Sequence, residues 1–198
     1  MNELINAIFT IVSQTKENIY VVFIILGIIW LMFGLTLLSN RTLLILGIFP
    51  RKLFGLIGII FAPFLHANFN HIFFNSIPLF LLSDFMLIGG LDHFINASVY
   101  IIFLSGLLTW FFARKAIHIG ASSLITGYWS YLVINSFHQG GAMAILLGIT
   151  SVYYFAGIFF GIFPSDKGVS WEGHLFGFIA GITVNYTLPY LPNLALMI

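Results

Sequence analysis

The residues able to do chemistry in this chain fall in three separated fragments. The first is His66-Ala67-Asn68-Phe69-Asn70-His71-Ile72-Phe73-Phe74-Asn75, the second Gly120-Ala121-Ser122-Ser123, and the third Gly173-His174-Leu175-Phe176-Gly177. Each sits at or near the edge of a long apolar run. A polar or ionisable group in such a place is costly unless it is buried in protein and used. A serine, a histidine able to take its proton, and a His/Asn pair able to donate to an anion are the parts of a serine hydrolase.

Taken singly, each fragment has a second reading. Ser122 stands where a helix is expected to begin. The free backbone N–H groups and positive dipole end of that helix would face an oxyanion formed on the serine. Gly120 lets the chain turn tightly ahead of it. Serine is equally a favoured N-cap, and this fragment alone does not separate the two roles. His174 opens a later apolar run, with Gly177 and Gly181 on its face. Ser123, Gly127 and Ser130, with Gly120 ahead of them, make a comparable small stripe after Ser122. Two such faces let membrane helices approach closely. That approach would bring an imidazole within about 2.6–3.2 Å of a serine oxygen, as general-base catalysis needs; a packing seam with a capped histidine is the alternative.

His71 and Asn75, one helical turn apart, share a face. Together with the Ser122 N–H they form a candidate oxyanion hole. His66 lies just outside that helix and reads as structural, tying down the preceding loop. There is no His-Glu-x-x-His pattern and no carboxylate beside these histidines, so no metal is expected, and the chemistry calls for no cofactor. No Asp or Glu is placed to orient His174, because Glu172 is expected to face the loop. A Ser–His dyad therefore fits better than a triad. His93, His118 and His138 read as loop or interface residues, with His118 the second candidate for a base. Asp84 and Asp92 lie at or beyond the far end of their helix without the facing partner that an aspartyl mechanism requires.

These fragments need elements to hold them, and composition says which. Of 198 residues, 60% are hydrophobic and 7% charged, against about 25% charged in a soluble domain. The expectation is an all-α integral membrane protein of the multi-pass kind. The 23 phenylalanines can fill a bundle interior. There is no basic patch to bind nucleic acid. The absence of cysteine excludes disulfides and thiolate catalysis. Residues 1–18 lack the basic region and cleavage site of a signal peptide. Leu4, Ile5, Ile8, Ile11 and Val12 recur there at helical spacing, so this segment is expected to be an amphipathic helix on the membrane or the bundle. Six stretches can each span a bilayer, at roughly 19–38, 72–91, 95–113, 121–137, 141–162 and 173–191, and with short loops they make residues 19–198 one domain. The link at 39–65 is expected to lie partly in the interface or to re-enter the membrane. With six spans, the helices carrying the three fragments all start on one face. The opposite half reads as almost wholly apolar, which disfavours a transporter or channel.

Taken together, the fragments resemble the rhomboid family of intramembrane serine proteases. The pattern His-x4-His-x3-Asn, then Gly-x-Ser, then Gly-His-x2-Gly-x3-Gly runs in that order over about residues 45–185. Ala62-Pro63-Phe64-Leu65-His66, Asn75-Ser76-Ile77-Pro78-Leu79 and Ser170-Trp171-Glu172-Gly173-His174 resemble compact bacterial members. The resemblance implies a six-transmembrane-helix rhomboid-like bundle. It implies Ser122 as nucleophile, His174 as base, and His71, Asn75 and the Ser122 N–H as oxyanion donors, with Gly120, Gly127, Gly177 and Gly181 packing the helices. It also implies protein substrates with a transmembrane helix, reached laterally through membrane lipid, and a loop at Phe163–Trp171 acting as a cap. A catalytically silent relative that binds transmembrane clients is the alternative. Three departures stand out: Ser123 replaces a usual Gly, the first loop lacks the Trp-Arg pair carried by members in which that loop is longer, and Ala62 stands where some members carry a further His.

Orientation is read two ways. Lys16 lies on the N-terminal side, whereas Arg41, Arg51, Lys52, Arg114, Lys115 and Lys167 lie on the side of the three fragments. The positive-inside tendency would put that side in the cytoplasm. The resemblance implies a site open to the exterior.

Overall fold

The structure, a computed structural model, describes residues 2–164 and 170–197. Its described helices are α1 (Asn2–Leu38), α2 (Gly58–Phe61), α3 (Phe69–Leu87), α4 (Leu91–Phe112), α5 (Ser122–Gln139), α6 (Ala142–Phe155), α7 (Gly157–Phe160) and α8 (Trp171–Thr187). Short 3-10 turns occupy the α1–α2 link, the approach to α3 and the stretch after α8.

Local sequence explains the boundaries. Residues 1–18 and 19–38 were expected as separate segments, but one helix runs through Lys16 and Glu17, since neither residue breaks a helix. It stops where Asn40 and Arg41 turn left-handed, at φ 50° and 65°. The Asn68 side chain caps α3 by accepting from the His71 N–H at 2.9 Å. The expected link at Asp92-His93 falls inside the first turn of α4 instead. The break lies at Gly90, φ 98°, and Asp92 suits the positive end of the helix that follows. Left-handed Gly140 ends α5.

α5 is the central post, with α3, α4, α6 and α8 packed around it and α8 its most extensive partner. Tyr128, Ile101, Leu79 and Leu82 sit fully buried where these helices meet. The outer faces carry Phe9, Leu31, Leu38, Phe74 and Phe112, all exposed to the surroundings, as a lipid-facing surface would be. By length and composition, α1 and α4 can each cross a membrane. The segment Leu53–Phe64, bent by 70° against α3, makes a third candidate as a broken span or re-entrant element. The 39–65 link is thus built of turns and the short α2.

Candidate active site

The three fragments meet. A cavity of ≈ 500 Å³ is lined by Asn68, His71 and Asn75 from the start of α3, by Ser122 from α5, and by Ser170 and His174 from α8. The first intrahelical bond of α5 runs from the Ile125 N–H to the Ala121 carbonyl at 2.9 Å. The N–H groups of Ser122, Ser123 and Leu124 therefore have no acceptor within the helix. Ser122 is the first helical residue rather than the cap, a place taken by Ala121. Its hydroxyl makes no hydrogen bond among the described residues and faces the cavity.

His174 is oriented by a group that carries no side-chain signature. Its Nδ1–H donates to the Gly161 carbonyl at 3.0 Å. Because a carbonyl can only accept, Nδ1 must hold the proton and the neutral ring keeps its lone pair on Nε2. A Cβ at Gly161 would meet His174 Nδ1 at 2.7 Å, so this carbonyl approaches the ring only because residue 161 has no side chain.

The donor pair has its own support. Asn75 Nδ2 donates to His66 Nε2 at 3.1 Å. One amide proton is spent on that bond, leaving the second for the cavity. His66, wholly buried, packs edge-on against His71 with ring centroids 4.9 Å apart. It thus holds both donors. Gly120, at φ 107°, lies against the same pair. A Cβ there would meet His71 Nε2 at 2.5 Å and Asn75 Nδ2 at 3.4 Å. The Gly120 N–H donates to the Ala62 carbonyl at 2.9 Å, so position 62 contributes through its backbone.

The small stripes of α5 and α8 are in contact. A Cβ at Gly177 would overlap the Ser123 carbonyl oxygen and Thr126 Oγ1, and one at Gly181 would overlap the Gly127 carbonyl oxygen and Ser130 Oγ. The backbones touch even though Ser123 stands where a glycine is usual, because the approach is made over its carbonyl.

Other polar residues lie differently from the sequence expectation. Glu172 is buried, accepting from Arg114 Nε at 3.3 Å rather than facing the loop. His118 lies in the link between α4 and α5, as expected of a loop residue, but it is 5% exposed with both ring nitrogens engaged. Burial holds its pKa below the ordinary histidine value. The Arg114 carbonyl and the Glu172 charge oppose that effect, and the Arg114 charge adds to it. Asp84 accepts from Thr15 at 2.7 Å, pinning α3 to α1. The far end of the bundle is less apolar than expected. His93, Tyr131, Asn135, His138 and Asn185 line a cleft of ≈ 280 Å³ where α5 and α8 end. That cleft shares no lining residue with the Ser122 cavity. Among the described residues no three His, Cys, Asp or Glu side chains converge on a metal position. Of the expected cap, residues 165–169, with Lys167 among them, lie outside the described residues.

A bundle of apolar helices, two or three of them able to span a membrane, gathers a serine, an imidazole and a side-chain amide around one cavity, which is the architecture of a helical membrane protein with a polar pocket. Residues 53–191 match the rhomboid domain, and the chain belongs to the rhomboid family, a family of intramembrane serine proteases. Among its relatives is an uncharacterized protein of Mycobacterium tuberculosis, 39% identical over 160 residues that cover 76% of this chain and 67% of the relative. Another, from Mycobacterium leprae, is 32% identical over 183 residues, covering 80% and 72%. A protein of Acanthamoeba polyphaga mimivirus that bears the rhomboid name is 29% identical over 141 residues, covering 68% and 76%.

Proposed function

We propose that this chain is an intramembrane serine endopeptidase working through a Ser122–His174 dyad. The observation that carries the reading is the pairing of a free Ser122 hydroxyl with a His174 ring whose Nδ1 is committed to the Gly161 carbonyl, both facing one cavity. His174 Nε2 would take the Ser122 proton as Oγ attacks a peptide carbonyl. The Ser122 N–H, His71 and the second Asn75 amide proton would then receive the oxyanion. His174 returns the proton to the leaving amine, and water admitted from the polar face hydrolyses the acyl-enzyme. No Ser122–His174 hydrogen bond exists in the resting structure. Such bonds commonly tighten only when substrate binds.

A helical substrate hides its carbonyls, so cleavage requires a locally extended segment. The substrates are accordingly proteins with a transmembrane helix weakened near the cut, arriving through lipid. Of the described helices, α1, α3, α4, α5, α6 and α8 are read as the six spans, with the cavity facing the exterior as the family resemblance implies.

A charged, membrane-impermeant fluorophosphonate tests both parts. It should label the wild-type protein in intact cells, and His174→Ala should lose the label. Labelling confined to lysed cells would place the cavity on the cytoplasmic side. Failure to label in either state, with the protein folded, would remove the protease reading.

Asn75→Ala gives a graded test of the donor pair. Loss of one oxyanion donor costs about 10²–10³ in kcat. The variant should show a drop of that size with KM little changed, measured on a reporter transmembrane substrate in detergent. An unchanged kcat would take Asn75 out of the oxyanion site.

A further inference from the structure

Two residues that the dyad does not use occupy matching positions. His118 lies four residues before Ser122, and Ser170 lies four residues before His174. They are joined: His118 Nδ1 and Ser170 Oγ are 2.6 Å apart. His118 Nε2 lies 3.0 Å from the Arg114 carbonyl, which can only accept, so Nε2 carries the proton and donates there. Nδ1 is therefore an acceptor, and the Ser170 hydroxyl donates to it. Ser170 Oγ in turn accepts from the Gly173 N–H at 3.3 Å, capping α8.

The strap carrying His118 is fixed at other points. The backbones of His118 and Ile48 exchange both hydrogen bonds, at 2.9 and 3.0 Å. Gly120 is tied to Ala62, and the Arg114 N–H and Nε both reach the buried Glu172 of α8. His118, Ser170 and Ser122 line one void of ≈ 20 Å³ behind the nucleophile. Beside the Arg114–Glu172 pair, the His118–Ser170 bond links the chain entering the nucleophile helix to the cap residue of the base helix.

We propose that His118 is a positioning residue that sets the start of α8 against the start of α5, and so sets the reach from His174 Nε2 to Ser122 Oγ. The proposal rests on the dyad reading above. The α5–α8 seam fixes the helix spacing below the site, at Gly177 and Gly181. At the cavity end, where the first turns of both helices lie, the strap is tied to α8 among the described residues by the Arg114–Glu172 pair and by this neutral imidazole, which is the tie nearer Ser122 along the chain. With neutral His118, every donor and acceptor in the Arg114–His118–Ser170–Gly173 series is matched.

The test is the rate at which a fluorophosphonate acylates Ser122 in purified protein, read alongside kcat and KM for a reporter transmembrane substrate and the unfolding temperature. A 1 Å misplacement of reacting groups can cost about 10²-fold. His118→Phe fills the ring's space without the bonds and should slow acylation and kcat by roughly 10- to 100-fold, with KM nearly unchanged. His118→Asn keeps an acceptor for the Ser170 hydroxyl and should recover most of that loss. If His118→Phe lowers the unfolding temperature, the comparison is made between His118→Asn and His118→Ala at a temperature where both are folded. Asn acylating no faster than Ala would overturn the proposal, as would wild-type acylation rates in His118→Phe. Wild-type protein that takes no label at all would instead bring down the dyad reading itself.

Discussion

Ser122→Ala should abolish cleavage of a transmembrane reporter while the protein keeps its fold. Removing the nucleophilic serine from a soluble serine protease costs roughly 10⁶ in kcat, and the same order is expected here if Ser122 makes the acyl-enzyme. Stability should barely move, because the Ser122 hydroxyl has no hydrogen-bond partner among the described residues and Ala121, not Ser122, stands at the N-cap position. A serine acting as a cap would behave in the opposite way. Its loss would cost about 1 kcal/mol of stability and leave catalysis to another group. Cleavage and unfolding temperature measured on one clean preparation separate the two. Persisting cleavage in Ser122→Ala would rule out the mechanism.

Gly177→Val should be nearly as damaging, for a different reason. Its Cβ has no free space: it would fall on the Ser123 carbonyl oxygen and Thr126 Oγ1, about one turn or less from Ser122. The obstacle at Ser123 is backbone, which cannot rotate away. Relief must come from moving α8 off α5. Overpacking of this kind costs about 1–3 kcal/mol or more. Because His174 lies one turn above Gly177 on the same helix, the shift also carries its imidazole, the proposed base, away from Ser122. The expected result is a lower unfolding temperature in detergent together with a loss of cleavage on the order of 10²-fold or greater. Gly34→Ala is the matched control. A Cβ at Gly34 has open space around it and lies on α1, so both readouts should stay near wild type. A Gly177→Val protein with normal unfolding temperature and normal cleavage would show that the seam does not set the dyad.

The polar residues that line the Ser122 cavity were legible in the sequence because they are side chains at local spacings. One turn separates His71 from Asn75, and small residues recur at four-residue spacing after Ser122 and His174. The helical period alone puts such residues on shared faces. Helix limits were legible where a breaker marked them, as at Gly140, and misread where none did. Lys16-Glu17 looked like a border by charge, but a helix tolerates both. Asp92-His93 looked like a loop by polarity, but it opens α4 behind Gly90. The polar cleft at the far end was missed because His93, Asn135, His138 and Asn185 belong to three helices and converge only when these pack.

By itself, the sequence pointed to a class of chemistry, to candidate groups for it and to the membrane as their setting. These follow from residue type and from periodicity within one helix. The tertiary structure alone decided how the groups are held. The Gly161 carbonyl that orients His174 is a backbone atom, and every residue has one. His66 turned out to hold Asn75, and Ser170 to reach His118 across 52 positions of chain. Such partners are set by how helices distant in sequence pack, and no local spacing encodes that.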